Sequence, residues 1–357
     1  MAVFIYKSLV YFNKNNKYNI LISLLSIFGT ILFSYSIIFH ANLVSTLFVF
    51  LTYYLIHIND DNDTPKKYIL AGLFSGISII INYSTLPILL MIYIYLIDLK
   101  NIQVKKLFKK IIFSFIGALL PILILLFYHY LAFGNPFSTS YSNLDPNIIN
   151  DLQYQQQNGI NGISYPKFSN IIQLLFLPYR GLFFYMPLLL FSILGFITGI
   201  KQKNRNLKKM VYLLLLFFVT LLYNASYVYW SGDWSFGPRH LIPSIPFLIL
   251  LIPFAITNKN KIIFYLVSGL SLIINWLGTV IGISPTAEKN PLFTNYFSTL
   301  FNGKANIRML TYAQKLWNIN PLLIRLISFF TVSIIVLLIY KYIKIIELNM
   351  NKHEKKE

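Results

Sequence analysis

The sequence has no cysteine and little charge of either sign. Without thiols there are no disulfides, no thiolate nucleophile and no Cys-containing zinc site. The five histidines are scattered and none stands four residues from another, which excludes the paired-histidine helical metal motif. Aspartate and glutamate together number 11 in 357 residues, and charged residues of both signs make up 11%. A soluble domain of this size carries roughly twice that charged fraction. No basic leader precedes an apolar stretch at the start, so a cleavable signal peptide is not expected.

What is abundant is apolar. Hydrophobic residues make up 56% of the chain, in runs that recur along its length. A membrane span needs about 20 apolar residues, because each adds about 1.5 Å against a hydrocarbon core of about 30 Å. Backbone groups cannot stay unpaired in lipid, so such runs are helices. The expected fold is all-α, a polytopic helical membrane bundle. The apolar segments are 1–12, 18–34, 41–58, 68–82, 84–98, 111–133, 182–200, 210–228, 241–257, 262–284 and 321–340, giving about 10–11 transmembrane segments. A weaker stretch, 170–179, is expected at the outer interface. Residues 1–340 read as one transmembrane domain.

The net charge of +19 invites a nucleic-acid reading, which its distribution rejects. There is no basic arm, basic amphipathic helix or nucleic-acid motif, and Lys and Arg gather in short breaks between apolar runs. The breaks 13–17, 59–67, 99–110, 201–209 and 258–261 and the tail 341–357 hold 2, 2, 5, 5, 2 and 5 of them, 21 of the 30. The opposite connections hold seven in many more residues: Lys167, Arg180, Arg239, Lys289, Lys304, Arg308 and Lys315. Short basic loops stay cytoplasmic. The expected arrangement is a multi-pass protein of the inner (plasma) membrane with long outer loops 134–170 and 285–320 and a cytoplasmic basic tail, 341–357. Residues 68–98 are too long for one span at roughly 46 Å of helix. A hairpin turning at Asn82–Pro87 keeps every basic loop on one side. Residues 1–12 give only about 18 Å of helix, short of a span. They read either as the trailing part of a helix whose first half is missing or as a segment lying at the interface.

Acids are scarce enough to be informative. The outer connections hold only Asp145, Asp151, Asp233 and Glu288, so a base acting there is one of these or a histidine. The most distinctive segment is Tyr229–Trp230–Ser231–Gly232–Asp233–Trp234–Ser235–Phe236–Gly237–Pro238–Arg239–His240. Glycine permits a tight backbone path, tryptophan suits the headgroup level, and arginine pairs bidentately with phosphate. The competing reading is an aromatic belt with a snorkelling arginine and a helix-capping turn. Arg180, within Leu177–Pro178–Tyr179–Arg180–Gly181, is either a second phosphate clamp or an ordinary interfacial anchor. His40 and His129 fall near outer helix ends, where an isolated histidine is usually a hydrogen-bonded packing residue. Asp60, Asp61 and Asp63 sit beside Lys66 and Lys67, as in a solvated cytoplasmic turn.

The stretches "HANLVSTLFVFLTYYLI" and "ILAGLFSGISIIINYSTLPILLMIYIYLI" resemble the middle of GT-C superfamily membrane glycosyltransferases, among them protein O-mannosyltransferases and aminoarabinose transferases of lipid A. "GNPFSTSY", "LPYRGLFFYMPLLL" and "WSGDWSFGPRHLIPSIPFLIL" resemble an uncharacterised prokaryotic branch of that group. The resemblance covers about residues 1–257 and implies sugar transfer from a polyprenyl-phosphate donor at the outer membrane face. The acceptor it implies is a glycan, lipid or protein of the cell envelope. It implies that Arg239, His240 and Arg180 neutralise the donor phosphate, while Asp233 orients the acceptor or a divalent cation. His40, Asn82 and Tyr83 are further polar candidates for that outer site. The family carries its catalytic acid in the first outer loop, yet no acid precedes Asp60 here. The resemblance therefore implies that the N-terminal spans are missing and that these residues alone are inactive. The hairpin turn often carries a lysine in relatives, where this chain has Asn82 and Tyr83. Two further classes stay open: a transporter or flippase of lipid-linked glycans, and a non-catalytic lipid-binding protein of the same fold. Transporters place charge at mid-span, whereas here the mid-span positions are nearly free of charge, apart from Lys7 and Arg325 near helix ends.

Overall fold

Apolar runs this long, with so few charges, can hide their backbone polar groups only by coiling. The computed structural model describes residues 1–13, 16–38, 40–58, 63–96, 104–143, 162–282 and 290–301, with single positions and short runs between 316 and 341. Among these residues the chain is helical, with one isolated bridge between Ile163 and Tyr227. The helices are α1 (Ala2–Phe12), α2 (Asn19–Phe28), α3 (Leu32–Ile37), α4 (Ala41–Tyr53), α5 (Pro65–Ile81), α6 (Leu86–Ile94) and α7 (Val104–Phe133). They continue as α8 (Phe168–Leu175), α9 (Leu182–Tyr185), α10 (Leu190–Lys201), α11 (Leu207–Ser226), α12 (Ile245–Ile249), α13 (Lys261–Ile281) and α14 (Ser298–Phe301). Residues 144–161 of the expected loop 134–170, most of 285–320, and 342–357 lie outside the described residues, as do Asp60, Asp61, Asp145, Asp151 and Glu288.

Among the described residues four helical stretches are long and apolar enough to cross a membrane: Ala41–Ile58, Val104–Phe133, Leu207–Ser226 and Lys261–Ile281. Several of the other expected spans are broken helices, and each break has a local cause. Segment 18–34 kinks at Gly29–Thr30 between α2 and α3. Segment 182–200 breaks before Pro187, and 241–257 contains Pro243, Pro246 and Pro253, each lacking the N–H that helix continuation requires. Residues 241–252 are buried on every side, the pattern of an element at the centre of the bundle. Asn275 compensates the breaks. Its buried amide donates to the carbonyls of Gly29 (3.2 Å), Tyr185 (3.0 Å) and Ser271 (2.8 Å), and Ser271 Oγ accepts from Leu188 N–H at 2.8 Å. Carbonyls and amides freed by two helix breaks thus find partners on α13, as burial demands.

The expected hairpin forms. Asn82 (φ −156°, ψ 109°) ends α5, and Ser78 and Ser75 of α5 bond Thr85 (3.0 Å) and Tyr93 (3.1 Å) as α6 doubles back. On its other side α5 meets α7 backbone to backbone. A Cβ on Gly72 would stand 1.8 Å from Ser114 O, and one on Gly117 1.9 Å from Ile69 O. Small residues give close approach where lipid supplies no hydrophobic drive between helices. Much of the rest of α7 is exposed and apolar, from Phe108 to Leu131.

The helices carry the connections to two opposite ends. One end joins His40, Asn42, Asn82, Tyr83, His129 and the 227–240 loop. The other joins Phe12, Asn16, Asn206, Lys209 and Pro253. The described residues of the basic breaks 13–17 and 201–209 meet at the second end. There Asp63 accepts from the Tyr68 hydroxyl (2.6 Å) and pairs with Lys110 at 3.2 Å, so it serves the turn it sits in.

Candidate functional site

The loop between α11 and α12 is shaped by residues able to adopt left-handed backbone: Gly232 (φ 72°), Asp233 (φ 42°) and Gly237 (φ 64°). Glycine does so freely, and aspartate tolerates it better than most. The path folds the loop back over the ends of α4 and α9. Phe236 enters the core, where its N–H donates to Tyr35 Oη at 3.0 Å and its ring meets those of Tyr185 and Tyr296 edge-on. Trp234 stays exposed, as an interfacial aromatic does.

Arg180 differs from expectation. It is 0% exposed, and its guanidinium donates to Ser231 O (2.7 Å), Asp233 O (2.5 Å) and Tyr179 O (3.1 Å) while lying 4.4 Å from the centre of the Tyr179 ring. A planar fork of donors suits a set of fixed carbonyls. Arg180 therefore pins the loop from inside instead of facing a ligand at the surface.

Arg239 is placed otherwise. Its side chain is half-buried, Nη1 makes one long bond of 3.4 Å to Trp234 O, and Nε is shielded with no partner. Gly232 lies against it, and a Cβ there would stand 2.8 Å from Nε. His240 follows, its ring edge-on to Tyr227 and its Nε2 also buried without a partner. Burial first, and the charge of Arg239 second, hold the His240 imidazole well below its ordinary pKa. A neutral imidazole offers a hydrogen bond to an anion at this corner. Buried unpaired polar atoms are rare in folded proteins, and two on adjacent residues mark this corner.

The other expected residues converge here through one that sequence reasoning missed. Asn42 is buried; its amide donates to Arg239 O at 2.9 Å, and its Oδ1 accepts from Asn82 Nδ2 at 2.8 Å. His40 caps the same helix, Nδ1 accepting from Asn42 N–H at 3.2 Å. Burial and then Arg239 lower the His40 pKa to about 4. Asn82 also accepts from Ser84. Tyr83 sits one step away and bonds His129 Nε2 at 2.9 Å; His129 Nδ1 lies 3.2 Å from Pro136 O, the packing role expected of it. The only signal for Asn42 was its place directly after His-Ala at a helix start.

Asp233 has its carboxylate on the same loop, with Oδ2 accepting from the Tyr229 hydroxyl at 3.1 Å. Burial and that carboxylate push the Tyr229 phenol above its usual pKa. Of the 11 acids only Asp63 and Asp233 are described, and Asp63 belongs to the other end. Among the described residues no three acidic or histidine side chains converge, so these residues do not fit a cation held by protein ligands alone. Chemically the corner offers a guanidinium, a neutral imidazole and amides to an anion, with one carboxylate nearby. No family model, curated protein or solved structure matches this chain, so the geometry of this corner alone carries the functional reading.

Proposed function

We propose that the Arg239–His240 corner holds the phosphate of a polyprenyl-phosphate-linked sugar, and that the chain is a GT-C-like glycosyltransferase acting on an envelope acceptor. The observation that carries the reading is the pair of shielded, unpartnered nitrogens, Arg239 Nε and His240 Nε2, beside the buried Asn42 and half-buried Asn82 amides at the end away from the described basic loops. On this reading the protein is multi-pass in the inner membrane, with that end outward and the C-terminus cytoplasmic. A lipid-borne phosphate arrives at headgroup depth, where Trp230 and Trp234 flank the loop.

Glycosyl transfer breaks the bond between the sugar's anomeric carbon and the phosphate oxygen, and negative charge grows on the departing phosphate. Arg239 stabilises that charge, and the neutral His240 and the Asn42–Asn82 amides give it direction. The acceptor hydroxyl needs a base, and Asp233 fills that role or orients the hydroxyl. Since Asp233 is the single carboxylate that the described residues bring to this end, a second reading is non-catalytic capture of the lipid phosphate. Membranes carrying the full chain, supplied with labelled donor, separate the two. Arg239→Ala abolishes donor binding on either reading, and retained binding sinks both. Asp233→Asn removes turnover and keeps binding if the chain is the enzyme. Wild-type binding without turnover supports capture alone.

A further inference from the structure

The end of the bundle away from Arg239 contains an open polar cavity of about 490 Å³ lined from three parts of the chain: Asn13 with 16–18, Gln202 with Asn204, and residues within 253–258. Cavities that take small molecules fall in this range, about 300–1,000 Å³. This one has an amide wall on an apolar floor made by Tyr18, Pro253, Phe254 and Ile256. Its loops are held together by amide side chains. Asn16 Nδ2 donates to Pro253 O (3.0 Å) and its Oδ1 accepts from Tyr18 N–H (2.9 Å). Asn206 Nδ2 donates to Phe12 O (3.0 Å), and Asn260 joins Thr257 N–H (2.8 Å) to Ala255 O (2.8 Å).

A second set of lining side chains stands open to solvent, Lys17, Gln202 and Asn258 exposed and Asn13 half-buried. Asn13, Gln202 and Asn258 make no side-chain hydrogen bond to another described residue, and Lys17 has no acidic partner among them. Among the described residues no acid lines the cavity. Next to the lining residues in sequence stand Lys201, Lys203, Arg205 and Lys259, all exposed, which raise the local concentration of anions. Sorting of positive charge for topology accounts for those neighbouring lysines; it does not account for a cavity walled by amides. Amide groups donate and accept at once, which matches hydroxyl groups, and the single ammonium matches one phosphate.

We infer that this cavity is a second binding site, for a phosphate ester that carries free hydroxyls, at the membrane face opposite the Arg239 corner. Two sources share that chemistry: the headgroup of a glycerol-bearing anionic phospholipid and a soluble polyol phosphate. Lys17 takes the phosphate and the Asn13, Gln202 and Asn258 amides take the hydroxyls. The site is independent of the proposed glycosyl transfer.

The test uses the purified full chain. In the first arm it is placed in nanodiscs of phosphatidylglycerol or of phosphatidylcholine. In the second it is held in detergent and titrated with glycerol 1-phosphate, with inorganic phosphate as the control lacking hydroxyls. The readout is the rate of acylation of the Lys17 amine, followed by mass spectrometry, which needs no variant. Saturable protection of Lys17 in phosphatidylglycerol alone assigns the lipid source, and protection by glycerol 1-phosphate beyond that by inorganic phosphate assigns the soluble one. The double change Gln202→Ala, Asn258→Ala weakens protection about tenfold or more, corresponding to two amide bonds, whereas Lys201→Gln with Lys203→Gln weakens it less. Arg239→Ala leaves it intact. No protection in either arm overturns the inference, and so does equal loss on removing only the neighbouring lysines.

Discussion

Replacing Arg180 with alanine separates a loop staple from a phosphate clamp. In the structure the guanidinium donates three bonds, at 2.7, 2.5 and 3.1 Å, to carbonyls of the loop and of Tyr179. Hydrogen bonds from a charged donor contribute about 1.5–3 kcal/mol each, and a buried acceptor left unpaired loses about 1–3 kcal/mol. The terms overlap, since water refills part of the space, so the expected loss is about 3–5 kcal/mol. For a chain of this size that lowers the melting temperature by roughly 4–7 °C. Lysine keeps the charge but cannot fork between two carbonyls, so Arg180→Lys falls between. Arg239→Ala removes one long bond of 3.4 Å and changes stability by less than about 1 kcal/mol. The assay is thermal unfolding of the purified full chain in detergent, paired with limited proteolysis across 229–240. Arg180→Ala melts lower and is cut faster there; Arg239→Ala does neither. An Arg180→Ala protein with unchanged melting and cleavage would refute the staple.

Three further outcomes follow from other contacts. Gly232→Ala combines a left-handed backbone (φ 72°) with a Cβ 2.8 Å from Arg239 Nε, so it weakens polyprenyl-phosphate binding without altering charge; unchanged binding in a titration contradicts the packing described. Asn275→Ala strands the Gly29 and Tyr185 carbonyls and lowers stability by about 2–4 kcal/mol, read as a lower melting temperature; an unchanged one shows that the kinks need no such stitch. His40 has its pKa lowered from 6.5 to about 4, so below 6.5 the unfolded chain takes up a proton that the fold refuses. Stability is level above pH 6.5 and falls as pH drops from 6.5 towards 4. His40→Asn keeps a capping acceptor and does not titrate, so its melting temperature falls less across that window; parallel curves rule the assignment out.

Much of the architecture was legible in the residues. The overlong run 68–98 anticipated the turn at Asn82. The distinctive 229–240 segment is indeed a built loop at the end away from the basic breaks. Apolar length misjudged continuity, because it is blind to how a span is interrupted. Pro243, Pro246 and Pro253 were visible signals that 241–257 is no regular helix, and Gly29 foreshadowed the kink. Arg180 was read outward because position at a helix mouth says nothing about rotamer; only the carbonyls offered by a loop some fifty residues later turn it inward. Asn42 was not legible, since its role depends on Asn82 and Arg239, forty and 197 residues away.

Photocrosslinking with a polyprenyl phosphate bearing a diazirine close to its phosphate tests the central claim most directly. The protein is the full chain in native membranes, and the product is mapped by peptide mass spectrometry. The predicted adducts fall on residues 227–241 and at the start of α4, compete away with unlabelled polyprenyl phosphate, and vanish in Arg239→Ala. Adducts confined to the exposed flank of α7, unaffected by competitor or by Arg239→Ala, would contradict it.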